Sequence, residues 1–509
     1  MMRIFELRKW LPILLMLIVT LLTITYAIFR WQIDHMLGGN TQIVDSSQFI
    51  GKSGAIAIKN INVLSQDAQS MRYNQTVLIN KDKIEFVGQI EDIPLQYEVI
   101  DGQGRFLIPG LIDSHVHIKK SHNDLLLYIA NGITLVGEMT GMDHHFDIKE
   151  RINNGDVGPD IFIASPKLNS RSNITAWFRS NFEKRHQSYL TPEQGRQAVR
   201  YYKNRGYQAI KLGSHLDADI YEAINEEAKL SDIPVIGHLP VGLRLNDLYR
   251  SGQSQLAHID SITHNLMNEF GGLFASNSKE FLAHIDEHAV NIATQLKLNN
   301  ITLASTVWLH KTRIQQEVDL PNFLKTIEFE YQNPGWIEGS LVSKGCLPDD
   351  NPYETSYSTQ EERQAIESFY TTYNEAISVI TNALIEKGVP ITAGTDSLGA
   401  CGVIAGFSLH RELETLSQIG FTNAQVLRAA TVAPAQWMKI KTGQIKRGYR
   451  ADLVLLNDNP LEDIKHTKNI AAVIVRGMLF DREQLDNMLA AVKAANASSR
   501  AFDISPYIL

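Results

Sequence analysis

Cysteine is almost absent from this sequence: Cys346 and Cys401 are the only two in 509 residues. So low a count excludes a disulfide framework and a CxxC zinc site. A surplus of positive charge is missing too. There are 48 Lys and Arg against 56 Asp and Glu, for a net charge of -8. No basic stripe interleaved with aromatics interrupts that balance, so no nucleic-acid partner is expected. Internal repeats and low-complexity tracts are also lacking. What remains is an ordinary globular composition. The length suits several domains, or one large α/β unit with additions.

One long apolar run is present. From Leu11 to Phe29 the chain carries no charge, and its length is close to the ~20 residues that cross a bilayer as a helix. Arg3, Arg8 and Lys9 precede it, Arg30 follows it, and Trp10 and Trp31 flank it. Charge before the run and indoles at its ends read as a membrane anchor over residues 1–31 with a cytoplasmic N-terminus. The bulk of the chain then lies on the periplasmic or extracellular side. A cleaved signal peptide and a buried core helix are the alternatives. The run is long for a signal, and no A-x-A site follows it. An oxidising compartment would allow Cys346 and Cys401 to pair; two free thiols are the preferred reading.

Beyond the anchor, residues 50–105 show short β-like runs separated by Asn, Asp and Gly. The same texture returns over 436–485, in ADLVLLNDNP and IAAVIVRGMLF. The two segments are expected to form one small β-sandwich from both ends of the chain, with 486–509 as a tail. Between them, residues 106–435 alternate apolar strand cores with amphipathic stretches. The strand candidates are GLIDSHVH, GITLVGEMT, IFIASP, QAIKLG, PVIGHLP, QLAHID, ITLASTVWL and PITAGTDS. Such alternation predicts a parallel sheet, and eight units predict a (β/α)8 TIM barrel. The stretch from His310 to Val389 exceeds what a βα connection needs. It reads as irregular loop through NPGWIEG and GCLPDDNPYETS, then as helix, and is expected to cover the active site.

The chemistry sits at the strand ends. His115 and His117 are two apart on one strand and point the same way. Neutral imidazoles so placed can share one metal ion, and zinc suits them. An HxH alone is weak evidence. Lys211, His238, His258 and Asp396 add to it, each closing an apolar strand at the rim where barrel enzymes keep their catalytic groups. A solvated face does not confine polar groups to strand termini. A metal-free core would have to satisfy four imidazoles and a carboxylate, at high cost. Asp113 shares its side of the strand with the two histidines and reads as a supporting residue. His144, His145 and His215 follow strands at the rim, and His144 and His215 are candidate substrate contacts. Arg171 and Arg179 could grip a substrate carboxylate in bidentate fashion. His264 and His310 stay open, and Tyr201 and Tyr202 read as packing residues.

The run FLIPGLIDSHVHI, the strand-four lysine, the strand-five and strand-six histidines, TAGTDS and the closing TGQIKRGYRADLVLLNDNP together resemble the amidohydrolase superfamily. Its imidazolonepropionase-like and prolidase-like group fits best. The resemblance covers roughly Ile50 to Phe480. It implies that His115, His117 and Asp396 bind a first divalent metal, His238 and His258 a second, and that Lys211 bridges both as a carbamate. An ammonium has no lone pair for a cation, whereas a carbamate offers one oxygen to each. Zinc is the expected metal, with manganese, cobalt and iron as alternatives. A hydroxide held between the metals would attack the scissile carbonyl, with Asp396 taking up its proton and passing it to the leaving amine.

The expected activity is hydrolysis of an amide, peptide or cyclic amide C–N bond, as in a dipeptidase, a prolidase or an N-acyl amino acid hydrolase. The runner-up is a one-metal deaminase or ring-opening enzyme of the imidazolonepropionase type. That branch typically lacks the strand-four lysine and carries a Glu after the strand-five histidine. Here His238 is followed by Leu239, Pro240 and Val241. A third reading is an inactive barrel that binds without catalysis, but all six positions are intact. The partners expected are a small-molecule or dipeptide-like substrate, the membrane through the N-terminal helix, and a possible second copy of the chain.

Overall fold

A computed structural model describes residues 2–174, 177, 180, 186–341, 343–348, 350–351, 359–397 and 401–508. Arg179 lies outside the described residues. The apolar run falls within one helix, α1 (Met2–Met36). Its stretch Pro12–Met36 is long and apolar enough to cross a membrane, and its most apolar window is not buried against the body. The end of α1 docks through the buried side chains of Ile33 and, just beyond the helix, Leu37.

Strands from both ends of the chain join one hydrogen-bonded sheet. It holds β1 (Ala55–Leu64), β2 (Met71–Asn80), β3 (Lys83–Gly88), β4 (Glu98–Asp101) and β5 (Phe106–Pro109). Three late strands complete it: β16 (Leu453–Leu456), β17 (Ile470–Val475) and β18 (Met478–Asp481). A small β-sandwich is the expectation from the sequence. Instead the ten-residue β1 pairs β4 along its first half and β5 near its end, so one sheet branches there. Ile58, Val77, Leu453 and Ile474 fill the core it encloses. Phe106–Pro109, assigned above to the barrel, belongs to this sheet because it pairs antiparallel with Leu453–Leu456. Residues 486–509 are not a loose tail. Helix Arg482–Ser499 starts from an Asp481/Gln484 capping box and buries Leu485, Met488 and Val492.

The central strands are β6 (Leu111–Val116), β7 (Ile133–Glu138), β8 (Asp160–Ile163), β11 (Ile210–Leu212), β12 (Val235–Gly237), β13 (Gln255–Ala257), β14 (Thr302–Ala304) and β15 (Ile391–Thr392). Two short additions, β9 (Lys167–Asn169) and β10 (His186–Ser188), flank β11. Successive central strands pair in parallel from β6 to β8 and from β11 to β15. Parallel bridges Ala164↔Ala209 and Val116↔Ser397 link the two sets. This is a TIM-barrel-type arrangement, filled by Ile112, Leu135, Phe162 and Ile236. The long segment between β14 and β15 ends in helix Gln360–Lys387, capped by Thr359 with Glu362 and stopped by Gly388 in the left-handed conformation. NPGWIEG is not irregular: Pro334–Glu338 is a short helix, because Asn333 caps it through Gly335 N and Pro334 sits at its first position.

Cys346 and Cys401 form a disulfide, with Cα atoms 5.4 Å apart, so the reading of two free thiols is corrected. Both are buried in a small core with Leu320, Phe323 and Ile337, which brings them into register. The link closes a 55-residue separation and contributes about 4 kcal/mol in the loop-entropy picture. A Cys346→Ser/Cys401→Ser double variant should therefore melt well below the parent. Adding reductant should bring the parent down to the variant, and equal melting temperatures without reductant would remove the link's structural role.

A charged cluster ties the terminal sheet to the central strands. Arg450 Nη1 lies 2.6 Å from Asp160 Oδ2, its Nε pairs closely with Asp452, and Lys149 Nζ is 3.4 Å from Asp160 Oδ1. Burial pushes the Asp160 carboxyl up, but Lys149 and Arg450 outweigh it and hold it below the usual carboxylate range. A depressed carboxyl stabilises the fold at neutral pH, and that contribution fades as pH falls through the lowered value. Arg450→Met strips the buried Asp452 of its cation and leaves Asp160 with Lys149 alone; it should cost about 3–5 kcal/mol, read as a fall in Tm that shrinks in acid.

Candidate metal centre

The mouth of the central strands gathers the six side chains singled out above. All of β6 is buried; His115 lies on it and His117 follows it. Lys211 is on β11, His238 follows β12, His258 follows β13 and Asp396 closes the segment after β15. Gly394 allows the last of these to come close, since a Cβ there would lie 2.7 Å from His115 Cβ. His258 (φ 69°) and Asp396 (φ 57°) take left-handed backbone, as does Thr306 (φ 52°). For non-glycine residues this costs about 1–3 kcal/mol each, and such strain concentrates at functional sites. His258 N bonds Ala304 O at 3.2 Å and Asp396 N bonds His115 O at 2.8 Å, which holds the strained turns.

The ligand atoms of His115, His117 and Asp396 all lie within 4.8 Å of one another. Asp396 Oδ1 is 2.9 Å from His117 Nε2 and 3.5 Å from His115 Nε2. Lys211 Nζ is 3.3 Å from His115 Nε2 and is fully buried. The His258 ring centre lies 4.6 Å from that of His115 and 5.2 Å from that of His238. The six side chains thus form one contiguous cluster.

Neighbouring hydroxyls orient the rings. His117 Nδ1 pairs with Thr140 Oγ1 at 2.9 Å, His258 Nδ1 with Thr306 Oγ1 at 2.9 Å, and His238 Nδ1 with Ser214 Oγ. The His117 pairing leaves its Nε2 facing Asp396, and such partners commonly fix the orientation of metal-bound histidines. Buried carboxylates brace the turns behind them. Glu138 Oε1 accepts from Thr140 N at 2.6 Å. Glu412 accepts from Ser305 Oγ at 2.5 Å, Val307 N at 3.0 Å and Trp308 N at 2.7 Å, pinning the turn that carries Thr306. Asp113 accepts from Thr395 N at 3.0 Å and Thr395 Oγ1 at 2.7 Å, beside Asp396. Burial pushes the Asp113 carboxyl up to about 7 against these bonds.

The electrostatics suit a cation. Burial holds His115 and His238 well below the usual imidazole value and brings His258 down to about 4, so all three are neutral donors near pH 7. Burial first, and then the charge of Lys167, push the Lys211 amine well down. For Asp396, burial works upward, but His117 and His258 outweigh it and the carboxyl stays ionised. Asp396 Oδ1 faces the Nε2 atoms of His117 and His115. Neutral imidazoles and one carboxylate gathered in this way fit a divalent cation of the zinc type.

The outer candidates divide. His215 is exposed, and its Nδ1 lies 3.0 Å from Arg171 Nη2, so these two meet each other at the rim. His144 packs against His145 in a tilted arrangement, with ring centres 4.0 Å apart, and lines a separate cavity beside α1. Burial brings the His144 imidazole down to about 3. His264, left open above, lines a 260 Å³ cavity with Ser214, His238, His258, Asp260 and Asn265. His310 stands close by, its Nε2 3.4 Å from Asp260 Oδ1 and its ring centre 6.3 Å from that of His258. Sequence reasoning missed Thr140, Ser214, Thr306, Lys167 and Glu412.

Parallel strands in TIM-barrel-type order, with histidine, aspartate and lysine side chains collected at their C-terminal ends, define the class of protein. The amidohydrolase family profile matches residues 106–479. The chain belongs to that family of metal-dependent hydrolases, which act on C–N bonds. A 66-residue stretch is 47% identical to imidazolonepropionase of Idiomarina loihiensis, covering 12% of this chain and 16% of that protein. The bottromycin amidohydrolase structure aligns with 91% of this chain and 96% of its own at TM-score 0.66 and 18% identity. A Xaa-Pro dipeptidase structure with bound methionine aligns with 84% of this chain and 100% of its own, at TM-score 0.58 and 18% identity. At such identities the likeness speaks for the fold.

Proposed function

We propose that this chain hydrolyses a small amide, peptide or N-acyl amino acid at a centre for two divalent metal ions, zinc foremost. His115, His117 and Asp396 would hold one ion, His238 and His258 the other, and Lys211, as a carbamate, would bridge them on a closed (β/α)8 barrel. The observation that carries this reading is the gathering of Lys211, Asp396 and four histidines from separate strands into one buried cluster. Ions held there would supply Lewis acidity and make a water reactive near neutral pH. The protein's own part is to orient and to move a proton. Asp396, ionised and aimed inward, accepts a proton at Oδ1 and returns it to the leaving nitrogen. The hydroxyl partners of His117, His238 and His258 keep the donor set in place.

The 260 Å³ cavity beside His238 and His258 has room for a dipeptide-sized group, and His264 and Asn265 line it. The one-metal, imidazolonepropionase-type reading draws on the short match to that enzyme. A fully buried Lys211 beside His115 counts against it, because a one-metal site has no use for that amine. We further assign α1 as an uncleaved anchor, with the catalytic part outside the cytoplasm. The exposed apolar helix and the disulfide support this placement. Elemental analysis of the purified full chain should find about two divalent ions per chain. A panel of Xaa-Pro dipeptides and N-acyl amino acids should yield a substrate. Less than one ion per chain after metal-replete growth, with no hydrolysis, would overturn the proposal.

A further inference from the structure

The last turns of α1 are docked on the mouth of the central strands, not on the helical flank. Lys120 N bonds Leu37 O at 2.9 Å, and the Lys120 ammonium pairs with Asp34. Asn123 Nδ2 bonds Gln42 O at 2.9 Å while Asn123 Oδ1 accepts from Val44 N at 2.9 Å. Lys120 and Asn123 belong to the loop leaving β6, the strand of His115. From the segment after β14, Leu341 N bonds Gln32 Oε1 at 3.1 Å and Glu338 lies 3.3 Å from His35. Gly335 packs so tightly that a Cβ there would fall 1.8 Å from His35 O. A cavity of about 610 Å³ separates Arg30 and Ile33 of α1 from Met142, Pro166 and Tyr189, all on loops at the same mouth.

The apolar run ends at Phe29, and Ile33 is already buried in the body. Four residues of helix span about 6 Å, comparable to the depth of a headgroup layer. Whatever touches Ile33 and Leu37 therefore lies at the membrane surface, and these neighbours are the mouth loops. Loops at this mouth expose apolar side chains: Ile174 is 77% exposed, Leu341 83% and Val241 59%. Trp31, 54% exposed on α1, stands at the level where indoles prefer the interface.

We propose that the mouth of this enzyme faces the lipid bilayer, with Ile174 and Leu341 seated in its headgroup layer. The inference rests on α1 being a membrane anchor, and it does not depend on which bond is cleaved. The partner is a lipid surface, met by apolar side chains as interfacial proteins meet it. The active site then opens toward the interface instead of bulk water.

The test uses the full chain in vesicles of phosphatidylcholine and phosphatidylglycerol. Ile174→Cys, Leu341→Cys and Leu230→Cys are each labelled with an environment-sensitive fluorophore, the native cysteines being held in their disulfide. Leu230 is 83% exposed at the end of helix Ala218–Leu230, which leads back to the opposite end of the strands. Quenching by a headgroup-proximal spin-labelled lipid should be roughly threefold or more stronger at 174 and 341 than at 230, as interfacial depth requires. Equal quenching at all three positions on chains that float with the vesicles overturns the orientation and leaves the anchor standing. Chains that do not float with the vesicles overturn the anchor and the orientation together.

Discussion

Asp396→Asn should lower kcat by about 10³-fold, within the range for loss of a positioned proton carrier, while KM moves far less. The amide keeps the size of the carboxylate but can neither hold the negative charge nor accept a proton. The backbone around it should survive, because the strained turn is fixed by Asp396 N on His115 O and by Thr395 on Asp113. Those bonds do not involve the Asp396 side chain. Steady-state kinetics on whichever panel substrate is cleaved gives the first readout, and bound metal per chain gives the second. A loss confined to kcat, with metal retained, assigns the proton role to Asp396. A loss of metal in step with activity would make it chiefly a ligand. A drop under tenfold with metal bound would remove Asp396 from the chemistry.

Asp396 could be found in the sequence because its chemistry is local: an acidic residue closes an apolar run. His115, His117, Lys211, His238 and His258 carry the same signature, and each of the eight apolar runs proposed as central strands contains a strand, although the VWL of ITLASTVWL belongs to helix Val307–Lys311. What stayed hidden depends on partners distant in the chain. Thr140, Ser214 and Thr306 lie 23, 24 and 48 residues from the histidines they orient, and a lone Ser or Thr carries no pattern. Glu412 sits on a later helix and reaches back more than 100 residues to the Thr306 turn. Cys346 and Cys401 meet only because an apolar cluster forms around them. His144 looks in sequence like a rim residue of the centre, yet its ring faces the cavity beside α1. That placement follows from where α1 docks, which no periodicity announces. Helix Arg482–Ser499 was legible through its capping box, and the expectation of a plain tail overlooked Asp481 and Gln484.

Lys211→Ala should strip the centre of metal and take activity with it. Lys211 is fully buried, and its Nζ stands 3.3 Å from His115 Nε2. A buried ammonium among imidazoles is costly without a paired anion, and burial with the Lys167 charge already pushes the amine toward its neutral form. A neutral amine is the species that captures carbon dioxide, and the resulting carbamate brings the negative charge and two oxygens that neither amine nor ammonium offers. Removing the side chain deletes that bridge and leaves the imidazoles and Asp396 to hold two dications alone. Occupancy should then fall from about two ions per chain toward one or none, as loss of a bridging ligand in a two-metal site implies. A short carboxylate such as acetate or propionate can enter the space vacated and present two oxygens in the same place. Added to the variant, it should restore part of the metal and part of the turnover, and a neutral amide of the same size should not. Mass spectrometry of the intact parent under carbon dioxide should show the added carboxyl group, absent from the variant. Unchanged metal content in Lys211→Ala would leave this lysine with a packing role and remove it from the centre.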